Sequence, residues 1–253
     1  MKIHQIQGYI QQIYLVEYPD KLLLLDGASR ADVGTILRFI SDELSRPITD
    51  LKAIIVTHMH PDHAGAAHRL RKLTGAHIVS SEKEEAWYSG LDGFLMHLTD
   101  LMLAWWMAAR MGRPRKNLWY KKRLIVDYQV KEGDSVPLFS DWRILDTPGH
   151  TDRDISVYNH MASVVYVADL MVEVKQQLIA PFPIFHPNQY RASIEKIHQL
   201  GAQQVLLAHR GPVTFDAQSK QHILDTAPMR PLTHWRVTKI KLKGIFRSCF
   251  YSR

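Results

Sequence analysis

Thr57-His58-Met59-His60-Pro61-Asp62-His63-Ala64-Gly65 follows directly on Leu51-Lys52-Ala53-Ile54-Ile55-Val56, and this junction decides how the chain is read. Apart from Lys52, residues 51–56 are apolar, ending in the β-branched run Ile54-Ile55-Val56, as suits a short strand buried on both faces. Four side chains able to bind a metal then fall within six residues, on a loop that leaves the strand and enters a helix. Loops at strand ends are where rigid scaffolds present functional groups. In a locally extended chain His58 and His60 point to the same side, while Asp62 and His63 begin the helix and turn toward a neighbouring position. A single surface histidine carries little information. Three of them with an aspartate, directly behind an apolar strand, specify a metal site. Zinc accepts imidazole and carboxylate ligands at about 2.0–2.2 Å, and a catalytic site keeps one position for water.

Outward from this junction, strands and helices alternate in both halves of the chain. The N-terminus reads as a strand, followed by strands over 11–17 and 21–25 around the turn Tyr18-Pro19-Asp20. Ile36, Leu37, Ile40 and Leu44 are spaced for a helix over 31–44. Further helices are predicted over 64–73, 188–200 (ended by Gly201) and 215–226, with residues 82–122 mostly helical. Strands are predicted over 77–79, 124–130, 142–145, 155–158, 164–167 and 205–207. Three more metal-binding side chains close such strands: His150 in Asp146-Thr147-Pro148-Gly149-His150-Thr151, Asp169 after Val164–Ala168, and His209 after Val205–Ala208. Each alone is weak, but all occupy the same kind of position in an α/β protein.

His58, His60, Asp62 and His63 complete the pattern H-x-H-x-D-H, and from about residue 10 to 215 the chain resembles the metallo-β-lactamase-fold hydrolases. The resemblance implies a four-layer αβ/βα sandwich with metals at one edge of the two sheets and a helical insertion between the first and second metal-binding motifs. His58, His60 and His150 would form site one and Asp62, His63 and His209 site two, bridged by Asp169. Asp26, in Leu22-Leu23-Leu24-Leu25-Asp26-Gly27, resembles the family's early buried aspartate. Two zinc ions per chain are implied, with iron or manganese also suited to His/Asp ligands. Two ions about 3.5–4 Å apart share and acidify one water, giving hydroxide near neutral pH. Asp62 is then the catalytic residue that passes a proton to the leaving group. The bridging aspartate favours the glyoxalase II, lactonase and phosphodiesterase branches over true β-lactamases. No Tyr follows Asp169 as it does in the lactonase-like pattern, and Ala208 and Arg210 flank His209 where Gly is usual. The expected activity is hydrolysis of an ester, thioester or lactone with a lipophilic acyl part. A phosphodiesterase or ribonuclease of the same fold is the alternative.

Composition bounds the rest. The chain has 253 residues, 46% hydrophobic and 23% charged, with a net charge of +7. Seven basic residues lie in 230–253 and seven more in 110–123, and both blocks lack Asp and Glu. The remaining body holds 18 basic against 25 acidic residues, so the basicity is local. One expected division is a hydrolase domain over 1–229, carrying the insertion at about 82–122, and a basic tail over 230–253. Cys249 is the single cysteine, which excludes an internal disulfide framework. The N-terminus lacks an apolar core of signal-peptide length, so a cytoplasmic address is expected. Residues 94–111 are 14 of 18 apolar but contain His97, Thr99, Asp100 and Arg110, which argues against a membrane span. The Met- and Trp-rich insertion would serve as a pocket wall for an acyl chain or as a homodimer contact. The basic blocks, with Trp119, Tyr120 and Trp235 interleaved, would meet anionic lipid, RNA or only water. No G-x-S-x-G or Walker-type motif is present, so a serine nucleophile and triphosphate binding lack support.

Overall fold

The computed structural model describes residues 1–83 and 86–233. Six strands form the first sheet in sequential order: β1 (Lys2–Gln7), β2 (Gln12–Glu17), β3 (Leu22–Leu24), β4 (Leu51–Val56), β5 (His77–Ser81) and β6 (Tyr128–Val130). The first three are antiparallel neighbours, and β3 to β6 run parallel. Next in the chain come β7 (Ser135–Val136), β8 (Phe139–Asp146), β9 (Ile155–Asn159) and β10 (Val164–Tyr166), a separate hairpin β11 (Val172–Val174) and β12 (Gln177–Ile179), then β13 (Gln204–Leu206) and β14 (Pro212–Val213). The second sheet has the order β14-β13-β10-β9-β8-β7, with only β10 and β13 adjacent and parallel.

Side-chain alternation builds the layers. Leu23, Leu25, Ala53, Ile55 and Val79 turn inward to meet Trp142, Ile144, Val157 and Tyr166 of the second sheet. Their neighbours Leu22, Leu24, Ile54, Val56 and Ile78 turn outward beneath a helical layer that includes Ile36, Ile40, Leu70 and Leu101. On the far side Val165, Val167, Val205 and Leu207 pack under Tyr190, Ile194, Ile197 and Ile223. Burying each such side chain contributes roughly 1.5–3 kcal/mol. The result is helix, sheet, sheet, helix: the four-layer sandwich that the resemblance implied.

The helices are α1 (Val33–Arg38), α2 (Pro61–Ala64), α3 (Ala67–Thr74), α4 (Gly90–Arg110), α5 (Pro187–Gln199) and α6 (Ala217–Thr226). The predicted helix over 31–44 is composite. It starts as a tight turn at Arg30–Asp32 with Ser29 and Asp32 capping each other, and ends in a widened turn at Phe39–Glu43. The predicted helix over 64–73 starts earlier, at Pro61, and divides because the Ala66 amide leaves the helix to donate to Ala28 O at 2.9 Å.

Residues 82–122 are less helical than predicted. One helix, α4, accounts for the helical part and stops at Gly112 (φ 67°), where Gly112 N donates to Ala109 O and Arg113 N to Ala108 O. That pairing is a helix-terminating motif suited to glycine. Pro114 and the run of like charges that follow disfavour a restart. The strand predicted over 124–130 shrinks to β6, because the Asp127 carboxylate, not a ladder carbonyl, accepts the Ile78 amide at 2.9 Å. Among the described residues no helix is long and apolar enough to cross a membrane. Leu232 exchanges backbone hydrogen bonds with Ile184, so the chain stays attached to the body to that point. Most of the predicted basic tail, with Trp235 and Cys249, lies outside the described residues.

Candidate metal centre

Asp26 and every metal-binding side chain singled out in the sequence reach the same edge of the sandwich. Asp26 follows β3, His58 to His63 follow β4, His150 follows β8, Asp169 follows β10 and His209 follows β13. Within the second sheet β8, β10 and β13 share one direction. The residues therefore leave carboxyl ends of strands, where an α/β scaffold collects functional groups. His58, His60, His150 and Asp169 form one group, and Asp62, His63 and His209 another; in each, the potential ligand atoms lie within 4.8 Å of one another.

Asp169 reaches toward both. Its Oδ2 lies 3.9 Å from His58 Nε2 and 3.6 Å from His150 Nε2, while its Oδ1 lies 3.3 Å from His63 Nε2 and 3.2 Å from His209 Nε2. Asp62 Oδ2 is 3.6 Å from His63 Nε2 and 3.5 Å from His209 Nε2.

Whether this donor set fits metal ions is answered by its hydrogen bonding. His60 Nδ1 faces both His58 Nε2, at 3.1 Å, and His150 Nε2, at 3.0 Å. Three ring nitrogens so placed cannot all satisfy one another with protons, since His60 Nδ1 offers either one lone pair or one hydrogen to its two neighbours. His63 Nε2 and Asp169 Oδ1 are buried without a hydrogen-bond partner. Buried groups of this kind call for a partner, and a cation between them supplies it.

The far sides of the rings are held. His150 Nδ1 lies 2.6 Å from Pro183 O, His209 Nδ1 3.2 Å from Ile10 O, His58 Nδ1 3.1 Å from Thr57 Oγ1 and His63 Nδ1 2.6 Å from Asp26 Oδ2. Such contacts orient the rings and would leave Nε2 free to face a bound ion. Two glycines allow the close packing this needs. A Cβ on Gly65 would stand 2.3 Å from Pro61 O and 2.7 Å from Arg30 N, and one on Gly149 2.5 Å from Tyr190 Cα.

Electrostatics favours a cationic occupant. Burial, reinforced by the His63, His60 and His150 imidazoles, holds the His58 pKa well below the ordinary histidine value, so its ring is neutral. Burial also pushes His209 and His63 down, but Asp169 and Asp62 outweigh it; His209 rises to about 9 and His63 well above the ordinary value. For Asp169 burial pushes upward, yet His63 and His209 hold the carboxyl well below the usual range. The carboxylates thus attract positive charge to this point, as protons or as metal.

Two cavities flank the cluster. One, of about 520 Å³, is bounded by His60, Asp62, Asp169 and His209 and by the apolar side chains of Leu103, Trp106, Met107 and Phe182, among others. The other, of about 580 Å³, lies against His58 and Met59 and is lined by Lys83, Lys122, Arg123 and Arg153. Two of these cations pair with the Asp152 carboxylate, which lies 2.9 Å from Arg153 Nε and 4.0 Å from Lys83 Nζ.

One contributor was missed in the sequence. Asp100 of α4 is buried, accepts from Tyr88 Oη at 2.8 Å and stands 3.9 Å from His60 Nε2, the ring nitrogen facing away from the cluster. Burial raises its pKa to about 7. The available signal was a carboxylate at helical spacing with Gly93, His97 and Ala104, in an otherwise apolar stretch.

Imidazoles and carboxylates gathered at one edge of a four-layer sandwich define an enzyme of the metallo-hydrolase class. The family model described as the metallo-beta-lactamase superfamily matches residues 6–209, and the chain belongs to that superfamily. It is 24% identical over 230 residues to a probable metallo-hydrolase, YflN, of Bacillus subtilis, covering 84% of this chain and 85% of that protein. It is 28% identical over 126 residues to the hydroxyacylglutathione hydrolase GloC of Haemophilus influenzae, 49% of this chain and 51% of that one. Among solved structures, a metallo-beta-lactamase family protein of Thermus thermophilus superposes with a TM-score of 0.64 at 21% identity, covering 88% of this chain and 78% of its own.

Proposed function

We propose that this protein hydrolyses a small ester, thioester or lactone with a lipophilic acyl part, using two divalent cations, zinc in the first instance. His58, His60 and His150 would hold one ion, Asp62, His63 and His209 the other, and Asp169 would bridge. The domain doing so is residues 1–229. The observation that carries this reading is the cavity of about 520 Å³ lined by four of the cluster residues, by Asp100 and Glu173, and by apolar side chains that include Leu103, Trp106, Met107 and Phe182. When bound, such ions supply Lewis acidity that polarises an acyl oxygen and acidifies water.

The chain's own groups do the rest. Leu103, Trp106, Met107 and Phe182 bind an acyl chain and exclude water from the reacting carbonyl. The Asp62 carboxylate, at the boundary between cluster and cavity, carries a proton to the leaving oxygen or sulfur. Asp100, through His60, keeps that ring oriented. The partial similarity to a hydroxyacylglutathione hydrolase supports thioesters within this class.

A phosphodiesterase is the second reading. The basic cavity on the other side of His58 favours it, since Lys83, Lys122, Arg123 and Arg153 suit a phosphate-bearing substrate. A panel of acyl-thioesters, acyl-lactones and phosphodiesters, assayed on metal-loaded protein, separates the two. The expected result is acyl transfer to water, reduced about 10²–10⁴-fold in Asp62→Asn. Turnover confined to phosphodiesters would overturn the first reading in favour of the second.

A further inference from the structure

Helix α4 turns an apolar face to solvent. Gly93, His97, Asp100, Leu101, Ala104 and Ala108 are its buried side. Opposite them, at 3.6 residues per turn, lie Leu91 (73% exposed), Leu95 (53%), Met102 (58%) and Trp106 (52%). Leu98 and Trp105, both half-buried, and Ala109 fill the same face. The only Asp, Glu, Lys or Arg residues of α4 are Asp92, Asp100 and Arg110; Asp100 is on the buried side, and Asp92 and Arg110 stand at the two ends of the helix, beyond the apolar stretch from Leu95 to Trp106. A helix surface of this kind, about 30 Å long, is costly to leave in water.

The chain that follows is cationic. Residues 110–123 carry seven Arg and Lys and no acid, with Trp119 half exposed among them. Their positive ends meet aromatic rings: Arg110 stands 4.8 Å from the Trp106 ring, Arg115 4.8 Å from Trp105 and Lys122 5.8 Å from Phe94. Aliphatic and indole side chains rimmed by cations are what an anionic bilayer surface selects. The apolar groups enter the headgroup–acyl boundary and the cations neutralise the lipid phosphates.

We propose that the outward face of α4 and the 110–123 segment together dock this protein on an anionic lipid bilayer. Single-stranded RNA is disfavoured because Arg110 and Arg115 already cover the Trp106 and Trp105 faces on which bases would stack, and Leu91, Leu95 and Met102 offer a polyanion nothing. Trp106 belongs both to this face and to the cavity beside the cluster, so docking would turn the cavity mouth toward the membrane. That last step rests on the acyl-hydrolase reading; the docking itself does not.

The test is co-sedimentation of the full chain with vesicles of pure phosphatidylcholine or of phosphatidylcholine with 30% phosphatidylglycerol. Partition is expected only with the anionic vesicles. It should fall about tenfold or more in Leu95→Glu/Met102→Glu, which line neither cavity, and in 0.5 M salt without any substitution. Equal partition on both vesicles, no partition, or indifference to the double substitution in a variant that melts like the parent overturns the proposal. A stable dimer dissolved by Met102→Glu, or RNA binding untouched by it, each without vesicle affinity, would overturn it in favour of those partners. Because the readout is partition and not turnover, it succeeds or fails apart from the substrate assignment.

Discussion

Asp26 shows how much one carboxylate organises. Its Oδ1 accepts the amides of Gly27 (2.9 Å) and Thr57 (3.2 Å), and its Oδ2 accepts Thr57 Oγ1 (2.8 Å), Tyr166 Oη (2.8 Å) and His63 Nδ1 (2.6 Å). Five donor groups converge on the two carboxylate oxygens, which suits Asp at this position; in Asn the amide nitrogen would face donors. Asp26→Asn is expected to weaken metal retention about 10–100-fold, read by competition with a chromogenic chelator. Unchanged retention would show that His63 is held by something else. Asp100→Asn, which keeps an acceptor for Tyr88 but removes the charge facing His60, should have a smaller effect in the same assay. The two residues also mark what a sequence discloses. Asp26 was legible because it ends an apolar strand in a recognisable position. Asp100 was not, since its role depends on where α4 packs, and nothing local fixes that.

At the level of elements, β4 matched its predicted bounds because its five apolar residues, with Lys52 alone half-buried, have one way to be buried on both faces. The segment after α4 did not, since its structure comes from distant partners. His68 of α3 is one of them: its Nε2 accepts the Ile125 amide at 3.0 Å. Only a neutral imidazole can accept, and burial, with Lys121 and Arg71 nearby, keeps the His68 pKa below the ordinary 6.5. The folded state therefore binds fewer protons than the unfolded one as pH falls below that value. The contact contributes fully above about pH 6.5 and is lost as pH drops through the lowered folded value. Hydrogen exchange at Ile125, corrected for intrinsic rates, should accelerate as pH falls below 6.5 and through the lowered His68 value. In His68→Gln, whose amide oxygen still accepts, that acceleration should disappear. A core substitution has a different signature: Leu101→Ala empties space between α4 and the first sheet and should cost about 2–5 kcal/mol in denaturant unfolding at any pH.

For the whole molecule, the cluster joins the two sheets at one edge. Asp26 and the 58–63 loop belong to the first sheet, and His150, Asp169 and His209 to the second. The inter-sheet core that brings them together, with Trp142 fully buried in it, was legible only as a series of short apolar strands. The pairing order of the sheets was not legible, because an apolar run identifies a strand and not its neighbours. An ion held by side chains from both sheets binds only the assembled sandwich, so metal binding and folding are linked. Stabilisation grows as RT ln(1 + [M]/Kd), about 2.7 kcal/mol at a hundredfold excess over Kd. Removing metal should also leave like-charged carboxylates and crowded imidazoles facing one another without their common counter-charge. Thermal unfolding is therefore expected at a lower temperature in chelator. The midpoint should rise with added zinc along that logarithmic dependence, and elemental analysis should find about two ions per chain in the replete protein. His58→Ala/His63→Ala, which takes one donor from each group, should melt at the same temperature with and without chelator. A chelator shift that survived in this variant would place the metal elsewhere, and a replete protein with no bound metal would remove the basis of the hydrolase reading altogether.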